Sequence, residues 1–217
     1  MQLPPSIALF VADQLEAQIL AGQRPPGAPL HQLDLAAEFG VSRVPVRDAL
    51  AMLERRHLAV RIPRKGVIVR PITAESVRQV FAARRVLEAE IARLAVAGMT
   101  EAGLAQLDAI VERQRAAAGA GDLQGVRDAD RDFHATIWRA CANEVLEELA
   151  GIVWRRALHA RSVGHHTPGW SEKSLARHER IVAALRRRNA QEAVAAVVSA
   201  VSGAESEILE QLADAAR

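Results

Sequence analysis

Residues 32–50 read QLDLAAEFGVSRVPVRDAL. Leu33, Leu35, Ala36 and Phe39 recur at helical spacing, which predicts a short helix over 32–39. Gly40 suits the left-handed residue that ends such a helix, because it has no Cβ to clash there. Ser42 can then cap a second helix whose apolar stripe is Val46, Ala49, Leu50 and Leu53. Pro45 falls in the first turn of that helix, where a missing N–H costs little. Arg43 and Arg47, four residues apart, share a different face. They are either ordinary solvated arginines or a pair of cations with a polyanion to meet.

Upstream, Ile7, Phe10, Val11, Leu15 and Ile19 predict one more helix, and GQRPPGAPL (22–30) breaks it. Downstream, LAVRIPRKGVIVRPI (58–72) alternates Leu58, Val60 and Ile62, then Val67 and Val69, around Arg64-Lys65-Gly66. That pattern predicts a β-hairpin with a basic tip. Helix, helix-turn-helix and basic hairpin in this order make a winged helix-turn-helix. Charge supports the polyanion. Residues 43–70 hold eight cations (Arg43, Arg47, Arg55, Arg56, Arg61, Arg64, Lys65 and Arg70) against Asp48 and Glu54, whereas the whole chain has a net charge of only +2. A local basic patch on a near-neutral protein is the footprint of a nucleic-acid-binding module.

The rest of the 217 residues is rich in alanine and leucine at helical spacing, with 3% aromatics and no tyrosine. Caps at Thr73, Thr100, Asp122, Asn143, Ser171 and Asn189 divide it into six predicted helices, over 73–97, 100–117, 122–141, 143–162, 171–187 and 189–214. The fold class is therefore mainly α: a winged helix-turn-helix over 1–71 and an all-helical bundle of about six helices over 72–217. Cys141 stands alone, so no internal disulfide is available, which suits a reducing, cytoplasmic setting. The apolar N-terminus is interrupted by Asp13 and Glu16 and reads as neither a signal peptide nor a membrane span.

The stretch PPGAPLHQLDLAAEFGVSRVPVRDALAMLERRHL (25–58) resembles the N-terminal domain of GntR-family transcription regulators. VFAARRVLEAEIARLA (80–95), DADRDFHATIWRACAN (128–143) and SLARHERIVAALRRRNAQEA (174–193) resemble the effector domain of the FadR subgroup, called FCD. The resemblance implies a homodimeric, ligand-responsive regulator on a palindromic double-stranded DNA operator, with repression the commoner outcome.

In a helix-turn-helix the second helix enters the major groove by its N-terminal end. That places Arg43 and Arg47 where their planar forks can hold guanine, and Val44 where it can meet a thymine methyl. Ser42 can touch a phosphate. Arg64 and Lys65 would meet phosphates or the minor groove, with Gly66 permitting close backbone approach, while Arg55, Arg56 and Arg61 supply diffuse attraction. Two residues depart from the family pattern: Leu33 stands in place of an arginine in the first helix of the motif, and His57 in place of the glycine after the second.

Asp130 and His134 lie four residues apart on one helix and read as either a surface ion pair or two ligands of a divalent metal. The resemblance favours metal (Zn, Ni or Mn) and adds His178 as a third ligand beneath a small carboxylate effector. A fourth histidine is expected near position 200, where the residue is Ala200; His159, His165 and His166 are the available substitutes. Arg84 is the expected carboxylate-binding group, or else covers apolar surface with its stem. Trp138 and Trp154 read as core. A metal-free acyl-type sensor of the same architecture is the second reading, on the strength of Ala200. A metal-dependent hydrolase is the third, and it lacks a nucleophile elbow, a phosphate loop or an HExxH pattern.

Overall fold

Why this sequence folds as it does is seen from its caps and stripes in a computed structural model, which describes residues 6–162 and 169–215. Helix α1 (Ile7–Leu20) starts where the Ser6 hydroxyl accepts from Leu9 N at 3.2 Å, and buries Val11, Ala12, Leu15 and Ile19. Helix α2 (Gln32–Phe39) ends at Gly40, whose φ of 64° is the predicted left-handed cap. Helix α3 (Arg43–Arg55) follows at once and buries the predicted stripe of Val46, Ala49, Leu50 and Leu53. The antiparallel hairpin β1 (Ala59–Ile62) and β2 (Gly66–Val69) pairs Ala59 with Val69 and Ile62 with Gly66. Leu30 N donates to Val67 O at 2.8 Å, so the segment before α2 is tied to the wing. One core joins these pieces, with Leu15, Ile19, Leu35, Leu50, Leu53 and Leu58 almost fully excluded from solvent. Truncating any of these leucines to alanine would cost about 2–5 kcal/mol.

Among the described residues six more helices follow: α4 (Ala74–Gly98), α5 (Glu101–Gly119), α6 (Leu123–Ala140), α7 (Glu144–Arg161), α8 (Trp170–Arg186) and α9 (Ala190–Ala215). Their starts follow the predicted caps closely. Thr100 accepts from Gly103 N, Asp122 from Gly125 N and Asn143 from Leu146 N. Asn189 accepts from Glu192 N while its amide reaches Glu192 Oε1, a reciprocal cap. Helix α8 differs: it begins at Trp170 with Gly169 at the cap position, two residues ahead of the cap expected at Ser171. Gly98 ends α4 against Ala140 O, where a Cβ would approach to 2.1 Å, so only glycine fits.

The chain forms two compact units. One runs to Ser76 and takes in α7 from Arg155 onward. The other runs from Val77 to Trp154 and takes in α8 and α9. In the first, Arg155 donates to Glu16 at 2.9 Å and the His159 ring meets Arg70 O at 2.8 Å, while Ala157 and Ala160 are buried. The second packs Phe81, Ile91, Leu107, Phe133 and Ile181 at its centre. No described helix is long and apolar enough to cross a membrane.

Candidate nucleic-acid interface and candidate metal centre

Helix α3 buries one stripe, and this turns its other residues outward. Ser42, Arg43, Val44 and Arg47 are all exposed, and Ser42 sits at the cap position without a side-chain capping bond. Arg64, Lys65 and Gly66 are exposed at the tip of the hairpin, where Lys65 N closes the turn on Ile62 O at 3.1 Å. Arg64 and Gly66 take φ of 65° and 86° there. An open groove of about 410 Å³ lies among the start of α2, the start of α3 and the wing, lined by His31, Leu33, Asp34, Arg43, Arg61 and Gly66. Leu33, at the position where the family resemblance leads one to expect arginine, is 65% exposed.

Not every cation of the basic stretch is available to a polyanion. Arg56 donates to Asp13 and to Glu16, each at 2.7 Å, and Glu16 also receives Arg155. Burial alone pulls the Arg56 pKa down, but these two carboxylates together raise it above the ordinary arginine value. Arg61 meets Glu54 at 2.7 Å, and Arg70 donates to His57 O at 3.0 Å. Diffuse attraction was the sequence-based role of Arg56 and Arg61; Arg56 ties α1 to the end of α3, whereas Arg61, beside its bond to Glu54, keeps 53% of its side chain exposed and lines the groove.

In the second unit, Asp130 and His134 on α6 and His178 on α8 converge. One ligand atom from each lies within 4.8 Å of the others, and all three residues are buried. His178 Nε2 stands 3.4 Å from Asp130 Oδ1. Metal–ligand bonds of about 2.0–2.1 Å in a tetrahedral site set ligand atoms about 3.3 Å apart, close to the separation of the His178–Asp130 pair, and one carboxylate with two imidazoles is a donor set that suits a divalent ion such as zinc. Phe133 stacks on His178, with ring centroids 3.8 Å apart, and Trp154 on α7 lies 4.1 Å from His134.

Beside the triad, Arg84 on α4 binds Glu88 through Nε at 2.6 Å, and Glu88 Oε2 lies 3.7 Å from His134 Nδ1. The Arg84 guanidinium sits 4.6 Å from the Trp154 ring and 5.0 Å from Phe81, and its buried NH1 has no hydrogen-bond partner. A buried cation with one unsatisfied donor beside a cluster of metal-type ligands is suited to a small anion. Trp138 and Trp154 are buried, as read, and both rings also lie near His134.

Of the possible substitute ligands, His159 belongs to the first unit, on Arg70 O, and His165 and His166 lie outside the described residues. Sequence reasoning missed Glu88, Gln114 and Ser174. Glu88 was findable as the i+4 partner of Arg84. Gln114 and Ser174 come from α5 and α8 and carried no local signal.

Comparison with known proteins gives the family. The family model described as the FCD domain matches residues 79–202, and that described as "Bacterial regulatory proteins, gntR family" matches residues 7–69. The chain is similar to the HTH-type transcriptional repressor RspR of Escherichia coli K12, 30% identical over 76% of this chain and 72% of that one. It is also similar to the gluconate operon transcriptional repressor of Bacillus subtilis, 30% identical over 65% of this chain and 58% of that one. Among solved structures, E. coli McbR/YncC shares the fold, with a TM-score of 0.81, 24% identity and coverage of 96% and 100%. A putative GntR regulator from Rhodococcus sp. RHA1 superposes with a TM-score of 0.79, 28% identity and coverage of 94% and 97%.

Proposed function

This chain belongs to the gntR family of bacterial regulatory proteins and carries an FCD domain, and on that premise we propose that it is a repressor controlled by a small organic acid. That it is a DNA-binding transcription regulator and not an enzyme follows from the family and the named relatives. We assign the chain to the FadR subgroup, acting in the cytoplasm on DNA. The observation that carries it is the orphaned, buried Arg84 NH1 beside Asp130, His134 and His178.

The winged helix reads the operator. Arg43 and Arg47 hold base edges, Val44 offers apolar contact, and Ser42, Arg64, Lys65 and Gly66 meet the DNA backbone. In the helical domain, Asp130, His134 and His178 would hold Zn, Ni or Mn, which would supply a Lewis-acidic point for an oxygen of the effector. Arg84 binds the effector's carboxylate through the guanidinium edge that Glu88 leaves open. Trp154 and Phe81 cover the guanidinium and exclude water, which strengthens that contact. The effector then shifts the DNA-competent population only by its different affinity for the two states.

A homodimer matches a palindromic operator. Val145, Leu149 and Ile152 recur along α7 as an exposed apolar stripe that a second copy would cover.

The test is metal analysis of the purified protein, with thermal shifts in the presence of hydroxy- and keto-acids and operator binding with and without the responding acid. Bound metal, and an acid that raises Tm and changes operator affinity, support the reading. Protein that takes up no added Zn, Ni or Mn and answers only to acyl chains overturns it in favour of the metal-free sensor that Ala200 favours. Light scattering that returns a monomer sinks the dimer.

A further inference from the structure

We infer that Gln114, backed by Ser174, is a positioning residue that fixes the tautomer of His178 and aims a bare Nε2 at the centre of the triad. The inference deepens the metal reading and rests on it. Three hydrogen bonds carry it: Ser174 Oγ lies 3.4 Å from Asp130 Oδ1, Gln114 Nε2 lies 3.1 Å from Ser174 Oγ, and His178 Nδ1 lies 2.7 Å from Gln114 Oε1. All four residues are buried, so no solvent competes for these groups.

The direction of the bonds follows from the Gln114 amide, whose Nε2 can only donate and faces Ser174 Oγ, while its Oε1 can only accept and faces His178 Nδ1. Ser174 Oγ is then an acceptor towards Gln114, and its own proton is left for Asp130. Nδ1 of the His178 ring must be the protonated nitrogen. In the neutral ring Nε2 is left as a lone pair, 3.4 Å from a carboxylate oxygen.

Two acceptors facing each other at that distance repel unless a cation lies between them. The chain thus prepares His178 as an Nε2 ligand before any ion arrives. Partners of this kind fix ring orientation and raise ligand basicity, and removing one typically costs about 10–100-fold in metal affinity. Phe133, stacked on the ring 11° from parallel, holds the imidazole plane in the same sense.

The test has two arms. In the first, ¹⁵N chemical shifts of His178 are read in metal-free protein at mildly alkaline pH, assigned by the spectrum of His178→Gln. A protonated Nδ1 and a bare Nε2 are expected in the wild type, and a mixed or reversed state in Gln114→Leu. In the second, Zn²⁺ affinity is measured by competition with a chelating dye. Gln114→Leu should weaken it about 10–100-fold, and Ser174→Ala should weaken it less, because the amide can still reach His178 but is free to flip. If Gln114→Leu does not fold, Ser174→Ala read by the same spectrum carries the test, with a partial loss of Nδ1 protonation expected.

A proton on Nε2 of wild-type His178 overturns the inference. So does Gln114→Leu, or in its absence Ser174→Ala, that keeps both the wild-type tautomer and the wild-type Zn²⁺ affinity. Wild-type protein that binds no Zn²⁺ sinks the metal reading instead, while the spectrum still decides the tautomer.

Discussion

Arg84 meets Glu88 at 2.6 Å inside the helical unit, with only 4% and 7% of the two side chains exposed. Burying such a pair is expensive, and removing one partner leaves a charge that nothing compensates. Glu88→Leu should therefore destabilise the protein by about 3–5 kcal/mol, whereas Arg84→Met combined with Glu88→Leu should recover most of that loss. Urea unfolding of the three proteins checks this. A small carboxylate such as acetate should also raise the Tm of Glu88→Ala more than that of the wild type, because it can take the place of the missing partner. Equal shifts in the two proteins would speak against an anion site at Arg84.

The exposed Arg47 and the engaged Arg56 should respond in opposite ways. Arg47→Ala removes a side chain whose one ion pair, to Asp48 at 3.4 Å, is solvent-exposed. It should weaken operator binding roughly 5- to 150-fold, from about 1–3 kcal/mol per base contact, with little change in Tm. Arg56→Ala breaks the bonds to Asp13 and Glu16 and should cost about 1–2 kcal/mol of stability. Operator titrations at several salt concentrations, paired with thermal melts, separate the two. An Arg47→Ala protein that binds its operator as tightly as the wild type would remove α3 from the groove.

These cases also mark how far the sequence could be read. Helix positions were legible because caps and stripes are local: Thr100, Asp122, Asn143 and Asn189 announce their helices within three residues. The convergence of Asp130 with His178 came from family resemblance, since spacing alone could not bring α6 to α8. The role of Arg56 was hidden because its partners lie on α1, 40 and 43 residues away, and a run of arginines looks the same whether solvated or paired. Gln114 was hidden for the same reason, 64 residues from the ring it holds. Residues of α7 from Arg155 on gave no sign that they join the first unit, because helical periodicity tells which face is apolar and not what covers it.

His57 ends α3 in the left-handed region at φ 59°. Its N–H reaches Glu54 O at 3.1 Å and that of Leu58 reaches Leu53 O at 3.0 Å, the double bond of a Schellman cap. A residue with a Cβ is strained there, so the departure from glycine carries a cost. His57→Gly should stabilise the protein by about 0.5–1 kcal/mol, and His57→Ala should not. Chemical denaturation reads the difference; equal midpoints for the two variants would mean that the cap is not strained.

His159 should make the protein acid-sensitive. Its Nε2–H donates to Arg70 O at 2.8 Å, and its buried Nδ1 has no partner. Protonation would place a second N–H and a charge where neither is satisfied. Burial pushes the pKa below the ordinary histidine value; the bond to Arg70 O opposes this, and the Arg70 charge adds to it. The unfolded chain, with a pKa near 6.5, therefore takes up the proton first as pH falls. Stability is complete above about 6.5 and is lost as pH drops through that value towards the lower folded pKa. His57 adds to the same trend, lowered by burial and then by the charges of Arg156 and Arg70. Thermal melts from about pH 7.5 to about 5.5 should show Tm falling in the wild type. His159→Gln keeps a donor for Arg70 O without a titrating ring, so its Tm should fall less over the same range. If wild type and His159→Gln lose Tm in parallel, the buried imidazole is not the group responsible.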